Sequence, residues 1–295
     1  MKRRQFAHIS SLALGGHLLG QDRSSTPKKL ISLGLVTDIH YADKPQRRSR
    51  AYRDSLAKAK EFSALFKEKN PNVIVCLGDL VDTAPTVDEE LSYLKKIVPL
   101  MNEPGIPCHY VLGNHCVDTL TKEEFFQHAK TASKSGHYSF DLNGIHLVIL
   151  DACYTKDLKH YGRNNSKWND PNMPPEEIAW LKKDLQKNKL PTLVFAHQRL
   201  DLPPEHSYAI KQCLEVRKIL EQSKNVLAVF QGHSHKNELT VINKIPYCTL
   251  SAVIEGKGAE NNSYSILEVF DNQTASLNGY RKQADREFKS YPFTS

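Results

Sequence analysis

Five short segments carry polar side chains directly after runs of apolar and β-branched residues. They are Asp-Ile-His, Gly-Asp, Gly-Asn-His, the histidine of Phe-Ala-His-Gln, and His-Ser-His, which together contribute Asp38, His40, Asp79, Asn114, His115, His197, His233 and His235. Carboxylate, amide and imidazole groups without a thiolate favour divalent ions such as Mn, Fe, Zn or Co. A single Gly-Asp is usually a turn and a single histidine is usually structural, but no packing requirement explains eight such groups in one ordered series. The series therefore predicts a metal site.

The spacing within these segments indicates how the side chains can converge. Asp38 and His40 are two residues apart, so at the end of a strand both can turn to one side. Gly78 and Gly113 each precede one of the polar residues, and we expect the backbone there to pass close to the site or to adopt a positive φ. Asp82 follows in Gly-Asp-Leu-Val-Asp, with two interpretations: a helix cap, or a group that orients a ligand from outside.

From residue 30 onward, strand-like and helix-like stretches alternate and end in a β-rich segment. The predicted strands are Leu30–Thr37, Asn72–Leu77, Cys108–Leu112, Tyr138–Leu142, Ile145–Leu150, Leu193–Phe195, Val226–Phe230, Leu239–Ile242, Tyr247–Leu250, Tyr264–Phe270 and Thr274–Asn278. The predicted helices are Ser49–Lys69, Val87–Val98, Glu123–Ala129, Pro174–Gln186 and a stretch near Tyr208–Glu221. Asn143 and Gly144 predict a tight hairpin between the fourth and fifth strands. This order predicts sheets covered by helices, an α/β sandwich.

The ordered series resembles the motifs of the calcineurin-like metallophosphoesterases from about residue 30 to about residue 285. The resemblance implies an α/β fold, a four-layer α/β/β/α sandwich, in a single domain that spans residues 25–295. It also implies two divalent metal ions that share a bridging carboxylate. By position, one ion would be held by Asp38, His40, Asp79 and His235, and the other by Asp79, Asn114, His197 and His233. His115 matches the family's histidine that protonates the leaving oxygen or stabilises the transition state.

Several shorter features are similar to one branch of that family, the manganese-dependent ADP-ribose/CDP-alcohol diphosphatases. They are Asp-Ile-His-Tyr-Ala-Asp with the arginines after it, the run 147–152, Val-Ile-Glu ending at Glu255, and Gly-Tyr-Arg ending at Arg281 with Asp285 and Arg286. That branch usually carries Gln at the position of His40. The resemblance implies hydrolysis of phosphodiester or diphosphate bonds of nucleotide-type small molecules by metal-activated water. The alternatives are an exported broad-specificity phosphomonoesterase and, from another class, a non-catalytic scaffold on the same fold.

Two segments bear on substrate recognition. The loop 154–173 is long, polar and aromatic, without periodicity, and it is either a recognition segment or a surface insertion. A basic cluster consists of Arg47, Arg48, Arg50 and Arg53. These arginines either contact phosphate, for which paired guanidinium donors are suited, or form the solvated start of a helix.

Composition and the first residues limit the kinds of partner and the cellular compartments that are compatible with this chain. Of the net charge of +7, three charges lie in the first four residues, and the remaining mild excess fits a small anionic substrate rather than a nucleic acid duplex. No apolar run is long enough to span a membrane. The six cysteines show no metal-type spacing and decide neither compartment nor disulfide pattern.

Residues 1–24 predict a twin-arginine-like export signal with a linker, hence a periplasmic or extracellular protein; a basic tail on a cytoplasmic protein is the alternative. The oligomeric state is not predicted.

Overall fold

Two six-stranded sheets lie face to face in the structure, a computed structural model that describes residues 26–131 and 133–289. In spatial order the first sheet consists of β12 (Arg286–Phe288), β11 (Ala275–Arg281), β10 (Ser263–Phe270), β1 (Lys29–Val36), β2 (Val73–Cys76) and β3 (Cys108–Tyr110). The second consists of β4 (Tyr138–Leu142), β5 (Ile145–Ile149), β6 (Thr192–Phe195), β7 (Val226–Gln231), β9 (Ile245–Thr249) and β8 (Glu238–Ile242). Strands β1 to β3 run parallel, as do β5, β6, β7 and β9, and the other pairings are antiparallel.

Helices cover the outer face of each sheet. The first sheet carries α1 (Ser55–Lys69), α2 (Val87–Asn102) and α3 (Lys122–Ala129), and the second carries α4 (Pro175–Lys187) and α5 (Cys213–Ser223). Along β1, Leu33 and Leu35 face the second sheet, whereas Gly34 between them faces Phe66 of α1, as the two-residue period of a strand requires. One apolar core lies between the sheets and one lies under each helical layer. The predicted four-layer α/β/β/α sandwich in one domain is confirmed.

The turn between β4 and β5 shows how local sequence sets the register of the second sheet. Asn143 and Gly144 have φ values of 50° and 82°, and Leu142 pairs directly with Ile145. Positive φ at both central residues is the geometry of the turn that Asn-Gly favours in two-residue hairpins. The predicted hairpin is therefore confirmed.

The carboxyl ends of the parallel strands meet along one edge where the two sheets adjoin. From the first sheet, β1, β2 and β3 lead into Asp38, Asp79 and Asn114. From the second sheet, β6 and β7 lead into His197 and His233. Ligands of open α/β sheets bind outside the carboxyl ends of the strands. The fold thus gathers at one edge the segments that the sequence singles out.

Four elements differ most from the prediction. Helix α1 begins at Ser55 rather than at Ser49, because the chain before it forms a separate 3-10 turn over Tyr52–Asp54. The helix near Tyr208–Glu221 begins only at Cys213, so Tyr208 belongs to the preceding loop. Helix α2 continues through Pro99 to Asn102, because the last turn buries Met101 against the core. The sequence does not predict the short strand β12, since two of its three residues are charged and it pairs only at the sheet edge.

Three sequence-based expectations concern compartment. Residues 1–24, the predicted export signal and linker, lie outside the residues that the structure describes. Within those residues every helix is too short or too polar to cross a bilayer. All six cysteines are described, and each is free and buried.

Glu90 on α2 provides a pH test of the packing behind the site. It is fully buried, and one carboxylate oxygen accepts a hydrogen bond of 2.9 Å from the Ala84 amide. Burial raises the pKa of Glu90 from 4.5 to about 7. The stability that the neutral carboxyl contributes is therefore full below pH 4.5 and is lost as the pH rises through about 7. We predict that Glu90→Gln, which keeps an acceptor for Ala84, gains about 2–3 kcal/mol relative to the unsubstituted chain between about pH 5 and about pH 8.

Urea unfolding at several pH values measures this difference. Glu103→Gln, at an exposed carboxyl just beyond the same helix, is the matched control and should show no such gain. Parallel pH profiles for the Glu90 variant and the unsubstituted chain would contradict the prediction.

Candidate active site

Two groups of ligand-type side chains lie side by side at this edge. Within each group the ligand atoms lie within 4.8 Å of one another. The first group is Asp38, His40 and His235, and the second is Asp79, His197 and His233; a further group, His40, Asp82 and His115, shares His40 with the first. Asn114 and His115 line the adjoining cavity. The structure thus brings together all eight residues that the sequence singled out.

Asp79 belongs to the second group and also faces the first. Its Oδ2 atom is 3.4 Å from His40 Nε2 and 3.2 Å from His197 Nε2. Its Oδ1 atom accepts a hydrogen bond of 2.8 Å from the backbone amide of His115. One oxygen is therefore fixed by the main chain, and the other faces an imidazole of each group.

Several ligand atoms of the cluster are buried without a hydrogen-bond partner among the described residues. They are Asp38 Oδ1, Asn114 Oδ1 and His197 Nε2. Buried polar atoms are normally hydrogen-bonded, and an unpaired one costs about 1–3 kcal/mol. Carboxylate, amide and imidazole atoms in this state are suited to bind cations. The residues present therefore fit divalent metal ions.

Backbone carbonyls orient two of the imidazoles. His197 Nδ1 lies 2.7 Å from the carbonyl oxygen of Leu77, which leaves Nε2 directed at Asp79. His233 Nε2 lies 3.0 Å from the carbonyl oxygen of Trp168, which leaves Nδ1 for the cluster. Histidines that bind metals usually hold their second nitrogen against an oxygen in this way, because that contact fixes the tautomer and the ring orientation.

Carboxylates orient the other two imidazoles. His235 Nδ1 lies 2.6 Å from Glu255 Oε1, and its Nε2 faces Asp38 Oδ1 at 3.3 Å. His40 Nδ1 lies 3.4 Å from Asp82 Oδ2, while its Nε2 faces the cluster. Each of the four histidines therefore has one nitrogen held from outside and one turned inward.

Asp82 also holds His115, and this contact decides between its two interpretations. The Asp82 Oδ1 atom lies 3.4 Å from His115 Nδ1, and the Thr83 hydroxyl lies 3.2 Å from the same nitrogen. The helix-cap interpretation is wrong, because Thr86 caps α2. Burial lowers the pKa of His115, but the carboxylates of Asp79 and Asp82 outweigh this effect and raise it above its ordinary value. His115 therefore retains its proton more readily than a free histidine.

Five residues of the cluster have left-handed backbone conformations. Their φ values are 51° at Asp38, 45° at His40, 49° at Asp79, 67° at His233 and 58° at His235. A non-glycine residue in this region costs about 1–3 kcal/mol and persists where the surroundings enforce it, often at functional sites. Asp and His tolerate the region better than most residues. Both members of Asp-x-His and of His-x-His are turned in this way, which brings side chains two residues apart to one side.

Two glycines allow strands to approach the cluster closely. Gly78 has a φ of 102°, and a Cβ atom there would lie 2.4 Å from His197 Nδ1. Gly113 has an ordinary φ of −101°, and its Cβ would lie 2.2 Å from Asp79 Oδ1. The expectation for these glycines is confirmed. Gly78 requires a positive φ, and at both Gly78 and Gly113 the backbone passes too close to a cluster side chain for a Cβ atom to fit.

The buried carboxylates and imidazoles shift one another's pKa values. Burial raises the pKa of Asp38, but the neighbouring imidazoles of His235 and His197 lower it well below its usual value. Burial lowers the pKa of His197 and of His235, yet the adjacent carboxylates raise both to about 9. Burial and the charge of His197 lower the pKa of His233 to about 3. The cluster therefore holds anionic carboxylates whose charge favours cations.

The cluster opens into a cavity of about 450 Å³. Its further lining residues include Arg50, Glu255, Trp168 and Tyr208. In the sequence, Arg50, Glu255 and Trp168 stand out only as parts of longer segments. Tyr208 does not stand out there, because that residue was assigned to a helix. Arg50 lies 3.8 Å from Asp82 Oδ2, so at least one arginine of the basic cluster reaches the site.

Known proteins are similar to this chain in fold or in sequence. A dimetal phosphatase from Danio rerio superposes with a TM-score of 0.78 at 17% identity, over 90% of this chain and 100% of that chain. A manganese-dependent ADP-ribose/CDP-alcohol diphosphatase from Oryza sativa is 24% identical over 91% of this chain and 97% of its own length. A probable cyclic nucleotide phosphodiesterase from Fibrobacter succinogenes is 24% identical over 74% of this chain and 78% of its own length.

The fold and the donor cluster together define a metal-dependent hydrolase of phosphoric esters. The family model described as calcineurin-like phosphoesterase matches residues 31–237, and the chain belongs to this family. The resemblance inferred from the five segments is therefore confirmed.

Gly113 provides a steric test of the cluster. We predict that Gly113→Ala displaces Asp79 and weakens Mn²⁺ binding by about 10–100-fold, the range found when groups that orient metal ligands are disturbed. Gly105→Ala is the control, because that glycine has a φ of 74° and no atom within 4 Å of the added methyl. The control should lose about 1–2 kcal/mol of stability to left-handed strain and keep its Mn²⁺ affinity. Calorimetric titration with Mn²⁺ and thermal unfolding distinguish the two effects, and equal Mn²⁺ affinities would contradict the prediction.

Proposed function

We propose that this protein is a dinuclear metal-dependent phosphoesterase that hydrolyses phosphodiester or diphosphate bonds of nucleotide-type small molecules. In this proposal one divalent ion is held by Asp38, His40, Asp79 and His235, and the other by Asp79, Asn114, His197 and His233. Manganese is the first candidate, since several relatives are named as manganese-dependent enzymes, and Fe, Zn and Co remain compatible with the donor types.

The position of Asp79 carries the proposal. Its Oδ2 atom faces His40 at 3.4 Å and His197 at 3.2 Å, and these histidines belong to different donor groups. One carboxylate oxygen between two sets of unpaired nitrogen and oxygen atoms is the arrangement that a bridging ligand needs. Two metal ions held by these residues would supply an activated water molecule, neutralise phosphoryl oxygens and align attack with the leaving group.

The residues around the two groups have distinct tasks. His115 keeps its Nδ1 against Asp82, so its other nitrogen is available in the cavity to give a proton to the leaving oxygen. Arg50 brings paired guanidinium donors, which suit phosphate oxygens. No serine or cysteine nucleophile is required, because water is the attacking group.

Two observations favour a nucleotide-type substrate over a broad range of phosphomonoesters. The names of the relatives refer to ADP-ribose, CDP-alcohols and cyclic nucleotides. The cavity of about 450 Å³ combines a basic residue with two aromatic ones, which suits a small anion that carries an aromatic ring. The phosphomonoesterase alternative would suit an exported protein, and the predicted export segment lies outside the described residues.

The first test measures metal-dependent turnover. Metal-stripped protein is restored with Mn²⁺ and given ADP-ribose, CDP-choline, cyclic AMP, bis-p-nitrophenyl phosphate and p-nitrophenyl phosphate. We predict Mn²⁺-dependent hydrolysis of a nucleotide substrate and its loss in Asp79→Asn, because that change weakens both ions at once. Asp271→Asn, in the exposed turn after β10, is the matched control and should retain full activity.

Metal analysis of the same samples separates the possible failures. About two ions per chain without turnover would leave the metal assignment intact and refute the proposed substrate class. No bound metal, or full activity in Asp79→Asn, would refute the assignment itself. Preference for p-nitrophenyl phosphate over every diester and diphosphate would favour the phosphomonoesterase.

The second test concerns His115. We predict that His115→Ala lowers kcat by about 10²–10⁴-fold, the usual contribution of a general acid, while two metal ions remain bound. The loss should be smaller for substrates with a good leaving group such as p-nitrophenolate, which needs little protonation. Loss of a metal ion in this variant would instead make His115 a ligand together with His40 and Asp82.

A further inference from the structure

Two aromatic side chains form one wall of the cavity beside the donor cluster. Trp168 and Tyr208 lie with their ring centroids 5.6 Å apart, and Tyr208 lies 5.4 Å from the ring of His233. Trp168 is 48% exposed, although large apolar side chains of this fold are mostly buried. Because Trp168 adjoins Tyr208 and both line the cavity, the exposed ring belongs to a contiguous aromatic surface of the kind that marks ligand-binding grooves.

The loop that carries Trp168 is anchored on both sides of it. Before it, the hydroxyl of Ser166 donates a hydrogen bond of 2.5 Å to Asp118. After it, the carbonyl of Asp170 accepts a hydrogen bond of 3.2 Å from the buried Tyr161 hydroxyl. The backbone that carries Trp168 is therefore held in place before a ligand binds, which reduces the entropy lost on binding.

The spacing of the two rings decides how a ligand can use them. Stacked rings need about 3.5–4.0 Å between their carbon atoms, so a third ring between Trp168 and Tyr208 would require about 7 Å or more. Their centroids are only 5.6 Å apart and their planes are tilted by 45°. A ligand ring must therefore stack on the exposed face of the pair and cannot insert between them.

The main chain connects this aromatic wall to the donor cluster. The carbonyl of Trp168 lies 3.0 Å from His233 Nε2, so one residue orients a cluster histidine through its backbone and offers its side chain to the cavity. A ligand ring on Trp168 therefore lies next to the donor cluster rather than in a separate pocket. Arg50 lines the same cavity and offers its guanidinium donors to a phosphate group.

We propose that Trp168 and Tyr208 form a stacking platform for the nucleobase of the substrate, with Trp168 as its main contact. The assignment rests on the proposed function, in that the phosphate end of the ligand lies at the donor cluster. Base–aromatic stacking tolerates different bases because each has a π face. The platform therefore recognises the presence of a base and does not select adenine over cytosine.

Binding can be measured without catalysis, because the chain has only two tryptophans. Trp180 lies on α4, away from the cavity, so Trp180→Phe leaves Trp168 as the sole tryptophan reporter. With Mn²⁺ held constant, a non-hydrolysable phosphonate analogue of AMP should quench Trp168 fluorescence, and the base-free ribose phosphonate should not. The analogous cytidine compound should quench to a similar extent. Equal quenching with and without the base, or no quenching by either nucleotide, would overturn the platform.

Kinetics provide the second measurement. Trp168→Ala keeps the backbone carbonyl at His233 and should raise KM for ADP-ribose by about tenfold to a hundredfold, with a much smaller change in kcat. Trp168→Phe should recover most of this loss, and Trp180→Phe should behave like the unsubstituted chain. Glycerophosphoglycerol, a phosphodiester with neither an aromatic ring nor a cationic group that could bind an aromatic face, should be affected far less by Trp168→Ala.

The two proposals fail in different ways. If the unsubstituted chain hydrolyses neither substrate, the proposed function fails, and the fluorescence titration still decides on the platform. If both substrates are hydrolysed and Trp168→Ala changes their KM values equally, the platform fails and the proposed function remains.

Discussion

The burial of two carboxylates at the ends of neighbouring strands is the constraint on which this structure depends. Asp38 and Asp79 are at most 1% exposed, and removing a carboxylate from water costs several kcal/mol unless it is compensated. In each of these two carboxylates, one oxygen is compensated by hydrogen bonds from the chain. Asp38 Oδ2 accepts hydrogen bonds from the Thr37 hydroxyl at 2.7 Å and the His233 amide at 3.0 Å, and Asp79 Oδ1 accepts one from the His115 amide. The other oxygens face imidazoles. This division gives each carboxylate one fixed side and one side available to a cation.

The backbone around these carboxylates depends on the packing of both sheets. Strained left-handed residues follow β1 and β2 of the first sheet and β7 of the second, so neither sheet alone contains a complete donor group. The apolar core between the sheets, with Leu35, Val75 and Phe195 near the strand ends, holds the two halves together. Strain of about 1–3 kcal/mol at each left-handed residue persists because this core enforces the geometry. The site is therefore a property of the interface between the sheets.

The sequence was sufficient for the fold and for the members of the cluster, and the reason is physical. Strand ends follow from apolar runs, and ligand-type residues directly after them have few structural explanations, so Asp38 or His197 could be found one motif at a time. The partners that orient the ligand residues could not be found from the sequence. The Leu77 and Trp168 contacts are made by backbone carbonyls, which leave no trace in residue type. Tyr208 was assigned to a helix because its neighbours have helical periodicity, and only the structure shows that α5 begins five residues later.

The residues that face the substrate are not independent of those that face the metal. Glu255 lines the cavity and holds His235 at 2.6 Å, Arg50 lines it and lies near Asp82, and Trp168 lines it and holds His233. Substrate-facing loops usually vary freely on a fixed scaffold. Here each such loop also orients a member of the donor cluster, so a substitution that adapts the cavity to a new substrate also changes an imidazole or its carboxylate partner. Side-chain changes at Trp168 disturb the cluster least, since the hydrogen-bonding contact to His233 is made by the backbone carbonyl and the two rings lie farther apart, with centroids 6.2 Å from each other.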